Sequence, residues 1–318
     1  MNAGWVARGR RAMTLMVAVA LAGCSAAPVT SPAPQPRPRP KAEVQTPPPV
    51  SAESRALVDY YARVQADLLA QGLLRTDGAA KDAPFTDTML AENFIRVALF
   101  DEYRRSPTGL VAQQTQSRLR RWEAPVRVGL TFGASVPADR RATDRARIAS
   151  YLARLSSITG HPIALVDRDA NFHLQIVNED ERRALGPEIA ARLPDLSPAE
   201  IQGLTNLPRS TYCIVYALSE GSSSTYARAF AVVRAEHPDL LRLSCIHEEI
   251  AQGLGLANDS PLARPSIFND DEEFALLTHQ DELMLKMLYD PLLQPGMGAA
   301  EARPLIHELA TRLIGGNS

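Results

Sequence analysis

Apolar residues recur at helical spacing in two segments of the N-terminal third of the chain. This spacing predicts helices over residues 51–75 and 86–104, and we predict a third, shorter helix over 113–121. The repeating positions are Leu57, Tyr60, Tyr61, Val64 and Leu68 in the first segment and Leu90, Phe94, Val97 and Ala98 in the second. Ser51 is a suitable N-cap for the first helix. We therefore predict a small helical region over residues 51–122.

From Pro125 onward, strand-like and helix-like patterns follow one another. Alternating or continuous short apolar runs predict strands at 126–132, 163–166, 172–177, 212–218 and 229–233. Helical spacing predicts helices at 143–159, 238–254, 277–289 and 299–313. Residues 185–208 are rich in Pro and Leu without a clear period, and we interpret them as a candidate lid-like insertion. The order of these elements indicates an α+β domain over residues 123–318.

The first two dozen residues have the pattern of a secretion signal. Three arginines precede an apolar run at 13–22, which is shorter than the roughly 20 residues that span a bilayer. The run ends in Leu21-Ala22-Gly23-Cys24, which resembles the lipobox of bacterial lipoproteins. The resemblance implies that residues 1–23 are a cleaved signal peptide and that Cys24 carries the lipid. The alternative is an ordinary signal peptide that contains a cysteine.

A proline-rich stretch follows the lipobox-like sequence. Pro alternates there with Ala, Gln and Arg, a composition that favours an extended chain. Residues 24–50 are therefore predicted to be a tether between the lipid and the folded domain. Ser25 follows Cys24, and in enteric lipoproteins the lack of Asp at that position implies the outer membrane. We expect a lipid-anchored protein that faces the periplasm.

Charge and cysteine content narrow the possible functions further. The chain has 34 basic and 36 acidic residues, and no basic patch indicates a nucleic-acid partner. Besides Cys24 the chain contains only Cys213 and Cys245. Two thiols in one periplasmic domain often pair, so we expect a Cys213–Cys245 disulfide, with two separate buried thiols as the alternative. No Cys/His cluster has the spacing of a structural zinc site.

The predicted helix at 238–254 carries the residues that suggest chemistry. Its apolar face consists of Leu240, Leu243, His247, Ile250 and Leu254. A metallopeptidase HExxH motif starting at His247 would need a second histidine four residues later, where the chain has Ala251. We therefore expect His247 to be a buried, hydrogen-bonded structural residue.

When the motif is aligned from Glu248, one residue later, the helix resembles that of another peptidase group. Metzincin peptidases carry HExxHxxGxxH, often with Leu after the Gly. This chain has Glu-Glu-x-x-Gln-x-x-Gly-Leu-x-Asn from Glu248 to Asn258, so Glu249, the Gly and the Leu match. The resemblance implies that Glu249 occupies the general-base position. Glu248, Gln252 and Asn258 occupy the positions of the three histidine ligands.

The resemblance continues downstream of this helix. The sequence Ser266-Ile267-Phe268-Asn269 looks like the metzincin Met-turn, with Phe268 in place of Met. The following Leu277-Thr278-x-x-Asp281 is similar to the helix after that turn in matrixin-type members. The chain also resembles a family of uncharacterised bacterial lipoproteins with the signature EExxQxLGLxND, known only as a domain of unknown function. Together these features imply a metzincin-like zincin fold in which the histidine ligands of the zinc site are replaced by other residues.

Three hypotheses remain open for the site at which these replacements occur. In the first, no cofactor binds, and the cleft recognises a periplasmic protein, a peptide or a glycan. In the second, a divalent cation other than zinc binds Glu248, Gln252 and either Asn258 or Asp259, and Glu249 acts as the base of a divergent hydrolase. In the third, these residues are a solvated helix face. The first hypothesis, a non-catalytic binding or scaffolding module, is the one that we favour.

Overall fold

The computed structural model describes residues 49–78, 82–106, 109–269 and 271–315, with the side chains of 102–113 left out. The predictions for the signal peptide, for Cys24 and for nearly all of the tether lie outside these residues. The described residues belong to one compact unit, Pro47–Ser318. Among them, no helix is both long enough and apolar enough to cross a bilayer.

The two long N-terminal helices begin where their capping residues predict. Helix α1 spans Ala52–Ala70, and the Ser51 hydroxyl accepts a hydrogen bond from the Ser54 amide. Helix α2 spans Asp87–Ala98, and Thr86 caps it in the same way. The predicted apolar face of α2 is buried, and α2 packs against two C-terminal helices, α8 (His279–Leu288) and α9 (Ala299–Gly315). Helix α2 is therefore part of the main core.

The prediction of a third helix at 113–121, and with it an all-helical region up to residue 122, is wrong. Strands β1 (Phe100–Ser106) and β2 (Gly109–Gln116) form an antiparallel hairpin, and the short strand β3 (Arg121–Trp122) follows. In the hairpin Phe100 lies opposite Gln116. The pairing joins backbone groups of two separate segments, so the spacing of apolar residues within either segment does not reveal it.

A mostly parallel sheet forms the centre of the molecule. Strands β4 (Val126–Phe132), β5 (Ile163–Val166), β6 (Phe172–Val177) and β8 (Thr225–Arg234) are parallel, and β7 (Cys213–Ser219) is antiparallel to β8. The strand order is β5-β4-β6-β8-β7, and β3 pairs with the start of β8. The prediction of a domain of mixed helices and strands is confirmed, and β4, β5 and β6 have their predicted bounds.

Helices cover both faces of the sheet, as a mostly parallel sheet requires. On one face lie α3 (Ala138–Thr159) and α7 (Asp239–Leu254), in the main core with alternate residues of β8 such as Ala231 and Val233. The other β8 residues, such as Phe230 and Val232, enter a smaller core on the opposite face. This alternation is the two-residue period of a strand.

The smaller core is built by residues 185–208. After α4 (Glu179–Arg183) the chain forms α5 (Gly186–Arg192) and α6 (Pro198–Thr205). Their side chains Ile189, Leu193 and Leu204 are fully buried against the sheet. The interpretation of this segment as a lid-like insertion is therefore wrong, because it supplies the second hydrophobic layer of the domain.

Candidate functional site

Helix α7 is held against the edge of the sheet by packing and by a covalent link. Gly253 lies where an added Cβ would come within 2.4 Å of the Phe172 ring, so the absence of a side chain allows α7 to approach β6. Cys245 of α7 and Cys213 of β7 form a disulfide, with their Cα atoms 5.8 Å apart. The pairing expected from the sequence is thus present, and it fixes α7 beside the edge strand.

His247 has the structural role that the sequence analysis predicts. Its ring stacks on Tyr151 at a centroid distance of 3.9 Å, and its Nδ1 accepts a hydrogen bond from the Leu277 amide at 3.3 Å. The Tyr151 hydroxyl donates to the His247 carbonyl at 2.9 Å. Burial lowers the pKa of His247 to about 3, with a smaller contribution from Arg154. His247 is therefore a neutral core residue at pH 7.

A groove of about 1160 Å³ runs along β7 and α7. The whole of β7 lines it, together with Glu248, Glu249 and Gln252 of α7 and Asp259 of the following loop. Its other boundary includes Asp101 and Thr115 at the base of the hairpin, and Arg118 and Arg120 just after it. Most of the lining side chains are polar or charged. The groove is thus suited to a ligand that makes hydrogen bonds.

The groove brings together four of the five residues proposed as base or ligands. Glu249 is 3% exposed and Gln252 is 8% exposed, whereas Glu248 and Asp259 are half-buried. The Gln252 amide donates to the Asp259 carboxylate at 2.9 Å. Asn258 lies elsewhere, since its side-chain amide donates to the Arg96 carbonyl of α2 at 2.8 Å. Asn258 therefore anchors the loop to α2, and Asp259 is the residue that faces the groove.

The Met-turn-like segment is a buried turn held by one carboxylate. Phe268 is fully buried in the main core, and the residues that line the groove do not include it. Asp281 accepts hydrogen bonds from the Ser266 hydroxyl at 2.5 Å, the Ile267 amide at 3.1 Å and the Thr278 amide at 2.8 Å. Burial raises the pKa of Asp281 to about 6, and these donors limit the rise.

The residues at the histidine positions do not fit a zinc ion. A metzincin site uses three histidines, whereas the corresponding positions here supply one carboxylate and two amides, and amide oxygens are poor ligands for zinc. Across the described residues, no three His, Cys, Asp or Glu side chains are grouped as a metal site. Any cation in the groove would be held by oxygen atoms alone.

The charged residues on the hairpin side of the groove were not among the site residues predicted from the sequence. Arg120 pairs with Asp101, and its guanidinium lies 5.9 Å from the centre of the Tyr226 ring. Arg118 donates to the Gly296 carbonyl at 2.8 Å. The helix predicted over 113–121 gave no reason to place these residues near α7, because the sequence carries no signal that the segment turns toward that helix.

The family model described as "Protein of unknown function (DUF2927)" matches residues 87–308, from the start of α2 to within α9. The match therefore includes the hairpin, the whole sheet, the groove and the buried turn. No curated protein and no solved structure matches the chain. The chain belongs to the DUF2927 family of proteins of unknown function.

Proposed function

We propose that this protein is a lipid-anchored periplasmic protein whose groove binds an extended segment of another polypeptide without cleaving it. The anchor rests on the lipobox-like sequence that ends at Cys24 and on the proline-rich stretch after it. The binding function rests mainly on one observation. The groove follows the open edge of strand β7 along its whole length.

The edge of β7 offers a backbone template. Within the described part of the chain, β7 pairs with β8 on one side and with no strand on the other. An extended peptide can add to an edge strand as a further strand through backbone N–H and C=O groups. Every residue of Cys213–Ser219 lines the groove, so the ligand would lie between β7 and the base of the hairpin.

The polar residues of α7 would supply selectivity in this arrangement. Glu248, Glu249, Gln252 and Asp259 lie in the same groove as the strand edge, and they present carboxylate and amide groups to a bound chain. A peptide is favoured over a glycan because the open strand edge matches the repeat of a polypeptide backbone.

The metzincin-like interpretation of the fold belongs to the same proposal. It is supported by an α7 helix lying against an antiparallel edge strand and followed by a buried turn that Asp281 holds. The catalytic part of the resemblance has less support, because Asn258 points to α2 and no histidine occupies a ligand position. We therefore infer a zincin-like scaffold used for recognition.

The experiment uses heptapeptides selected from a random library for binding to the full-length chain in detergent. Each selected peptide is resynthesised with N-methyl groups on its odd or on its even residues. A peptide added to β7 directs only alternate N–H groups to the strand. One series is expected to weaken binding by roughly tenfold or more, and the other to bind nearly as well as the parent. Binding that is unaffected by either series, or the absence of peptide binders, would refute strand addition.

A hydrolase remains the second candidate because a buried Glu249 shares the groove with Glu248, Gln252 and Asp259. An all-oxygen ligand set would favour calcium, magnesium or manganese. Elemental mass spectrometry of protein purified without chelators tests this candidate beside a Glu248→Ala/Gln252→Ala variant. A stoichiometric metal that the variant loses would support the hydrolase. Equal, substoichiometric metal in both proteins would support the binding function.

A further inference from the structure

A second cavity lies away from the groove and is lined by arginines. It has a volume of about 500 Å³ and lies between α1, α4 and the loop at 206–209. Among the described residues, five arginines line this arginine pocket: Arg63, Arg182, Arg183, Arg209 and Arg234. In the same part of the chain, only two acidic side chains, Glu53 and Glu179, line it with them. Because guanidinium groups stay protonated, the lining carries a formal excess of three positive charges.

Two of the arginines form a buried floor. Arg182 and Arg234 are each 1% exposed, and both pair with Glu179, at 2.5 Å and 2.6 Å. Arg234 also donates to the carbonyls of Leu207 and Pro208, and so holds the loop in place. The floor is therefore rigid, with its charges fixed by the fold.

The floor retains an unused donor. The Nε–H of Arg182 is buried and finds no acceptor among the described residues. A buried donor without an acceptor costs free energy, on the order of 1–3 kcal/mol. This atom has no exposed surface, so a ligand would reach it only if the Arg182 side chain moved. The excess of positive charge in the lining points to a ligand with acceptor oxygens.

The rim of the pocket consists of exposed arginines beside an aromatic ring. The Arg209 guanidinium lies 4.8 Å from the centre of the Tyr60 ring, and Arg63 follows Tyr60 by about one helical turn. Arg183 pairs with Glu53 at 2.7 Å and with Glu179 at 3.1 Å. Arg63 and Arg209 therefore have charges that can turn toward a ligand without breaking the buried network.

We propose that the arginine pocket binds a phosphoryl group, either of a soluble phosphate monoester or of a phospholipid headgroup. A phosphoryl group carries roughly one to two negative charges at pH 7 and would offset part of the excess, and its oxygen atoms match the fork of a guanidinium. The pocket borders the first half of α1, immediately after the proposed tether. Both a soluble and a membrane source are therefore compatible with its place in the chain.

The test measures binding by the full-length chain in detergent to inorganic phosphate and phenyl phosphate by calorimetry. Flotation then measures binding to phosphatidylcholine vesicles with and without 20% phosphatidylglycerol, an arbitrary composition of about one anionic lipid in five. The pocket variant is Arg63→Ala/Arg209→Ala. The matched control is Arg145→Ala/Arg303→Ala, which removes two exposed arginines outside the pocket. Thermal unfolding of each variant establishes that it is folded.

Saturable binding that the pocket variant weakens by roughly tenfold or more, and that the control leaves nearly unchanged, would support the proposal. An effect confined to phosphate and phenyl phosphate would identify a soluble ligand. An effect confined to the anionic vesicles would identify a headgroup, and comparing variants on the same vesicles cancels any contribution of a lipid anchor. No binding of any probe by the wild type, or equal losses in both variants, would overturn it.

Discussion

The disulfide between Cys213 and Cys245 is expected to contribute a large part of the stability of the domain. It closes a loop over a sequence separation of 32 residues and joins the edge strand β7 to α7. In the chain-entropy model, a loop of this size restricts the unfolded state by about 3–4 kcal/mol at 25 °C. This is a large fraction of the roughly 5–15 kcal/mol that stabilises a typical domain.

The perturbation is the double variant Cys213→Ala/Cys245→Ala, measured by urea unfolding at pH 7. Its free energy of unfolding is expected to fall by about 3–4 kcal/mol through the lost cross-link, with a further loss from the buried Cys245 sulfur. The control is wild-type protein in a reducing agent, which breaks the cross-link and keeps both sulfur atoms. The difference between the two measurements isolates the packing contribution of the sulfurs.

Losses of less than about 1 kcal/mol in both the variant and the reduced wild type would refute this prediction. Such a result would mean that the unfolded chain is already restricted between the two cysteines. A variant that lost stability while the reduced wild type did not would assign the effect to packing. Since β7 lines the groove, peptide binding by the reduced protein would then show whether the link also positions the edge strand.

Gly253→Ala would place a Cβ 2.4 Å from the ring of Phe172, so urea unfolding should show a loss of about 1–3 kcal/mol. The matched change Gly203→Ala meets nothing within 4 Å and should be neutral or stabilising, and equal losses would contradict the packing argument. The pKa of Asp281 is about 6 in the folded protein and 3.8 in the unfolded chain, so protonation of its carboxylate stabilises the folded state. This contribution to stability is lost as the pH rises through 6. When the pH is lowered from 7 to 4, the unfolding free energy of the wild type should rise by about 2 kcal/mol relative to that of Asp281→Asn. A difference between the two proteins that does not change with pH would place the folded pKa of Asp281 near its ordinary value. His247 has the opposite sign, because its folded pKa of about 3 lies below 6.5 and its stabilising contribution is lost as the pH falls below 6.5. When the pH is lowered from 7 to 5, the unfolding free energy of the wild type should fall by about 2 kcal/mol relative to that of His247→Gln. If the unfolding free energies of the two proteins change in parallel with pH, the imidazole of His247 is solvated.

The sequence alone predicted those elements whose burial leaves a local pattern. Strands β4, β5 and β6 are short apolar runs between turn residues, and the structure has them at the predicted bounds. Helix α7 differs from its prediction by a single residue at its start. The helical period also placed His247 on the apolar face, where it packs on Tyr151. In each case the pattern of burial repeats within one segment, so a short window of sequence is sufficient.

The errors have two different causes. The hairpin of β1 and β2 joins neighbouring segments whose sequences, FDEYRRS and GLVAQQTQ, lack the apolar alternation of a half-buried strand. Helices α5 and α6 cover a face of the sheet that only exists once the distant strand β8 has joined it. That packing does not change the local spacing of apolar residues. Residues 113–121 and 185–208 were therefore assigned to the wrong kind of structure.

In the candidate sites, too, some features follow from the local sequence and others only from tertiary packing. The sequence by itself placed Glu248, Glu249 and Gln252 on one helix at a known spacing, and it favoured a disulfide over two separate thiols. Only the tertiary structure decided that Cys213 and Cys245 pair, that Asp259 faces the groove while Asn258 binds α2, and that β7 is an edge strand within the described part of the chain. It alone assembled the arginine pocket from α1, α4 and the distant loop at 206–209. The physical reason is that helical and strand periods are set by neighbouring residues, whereas edges, cavities and charge clusters are set by which distant surfaces pack together.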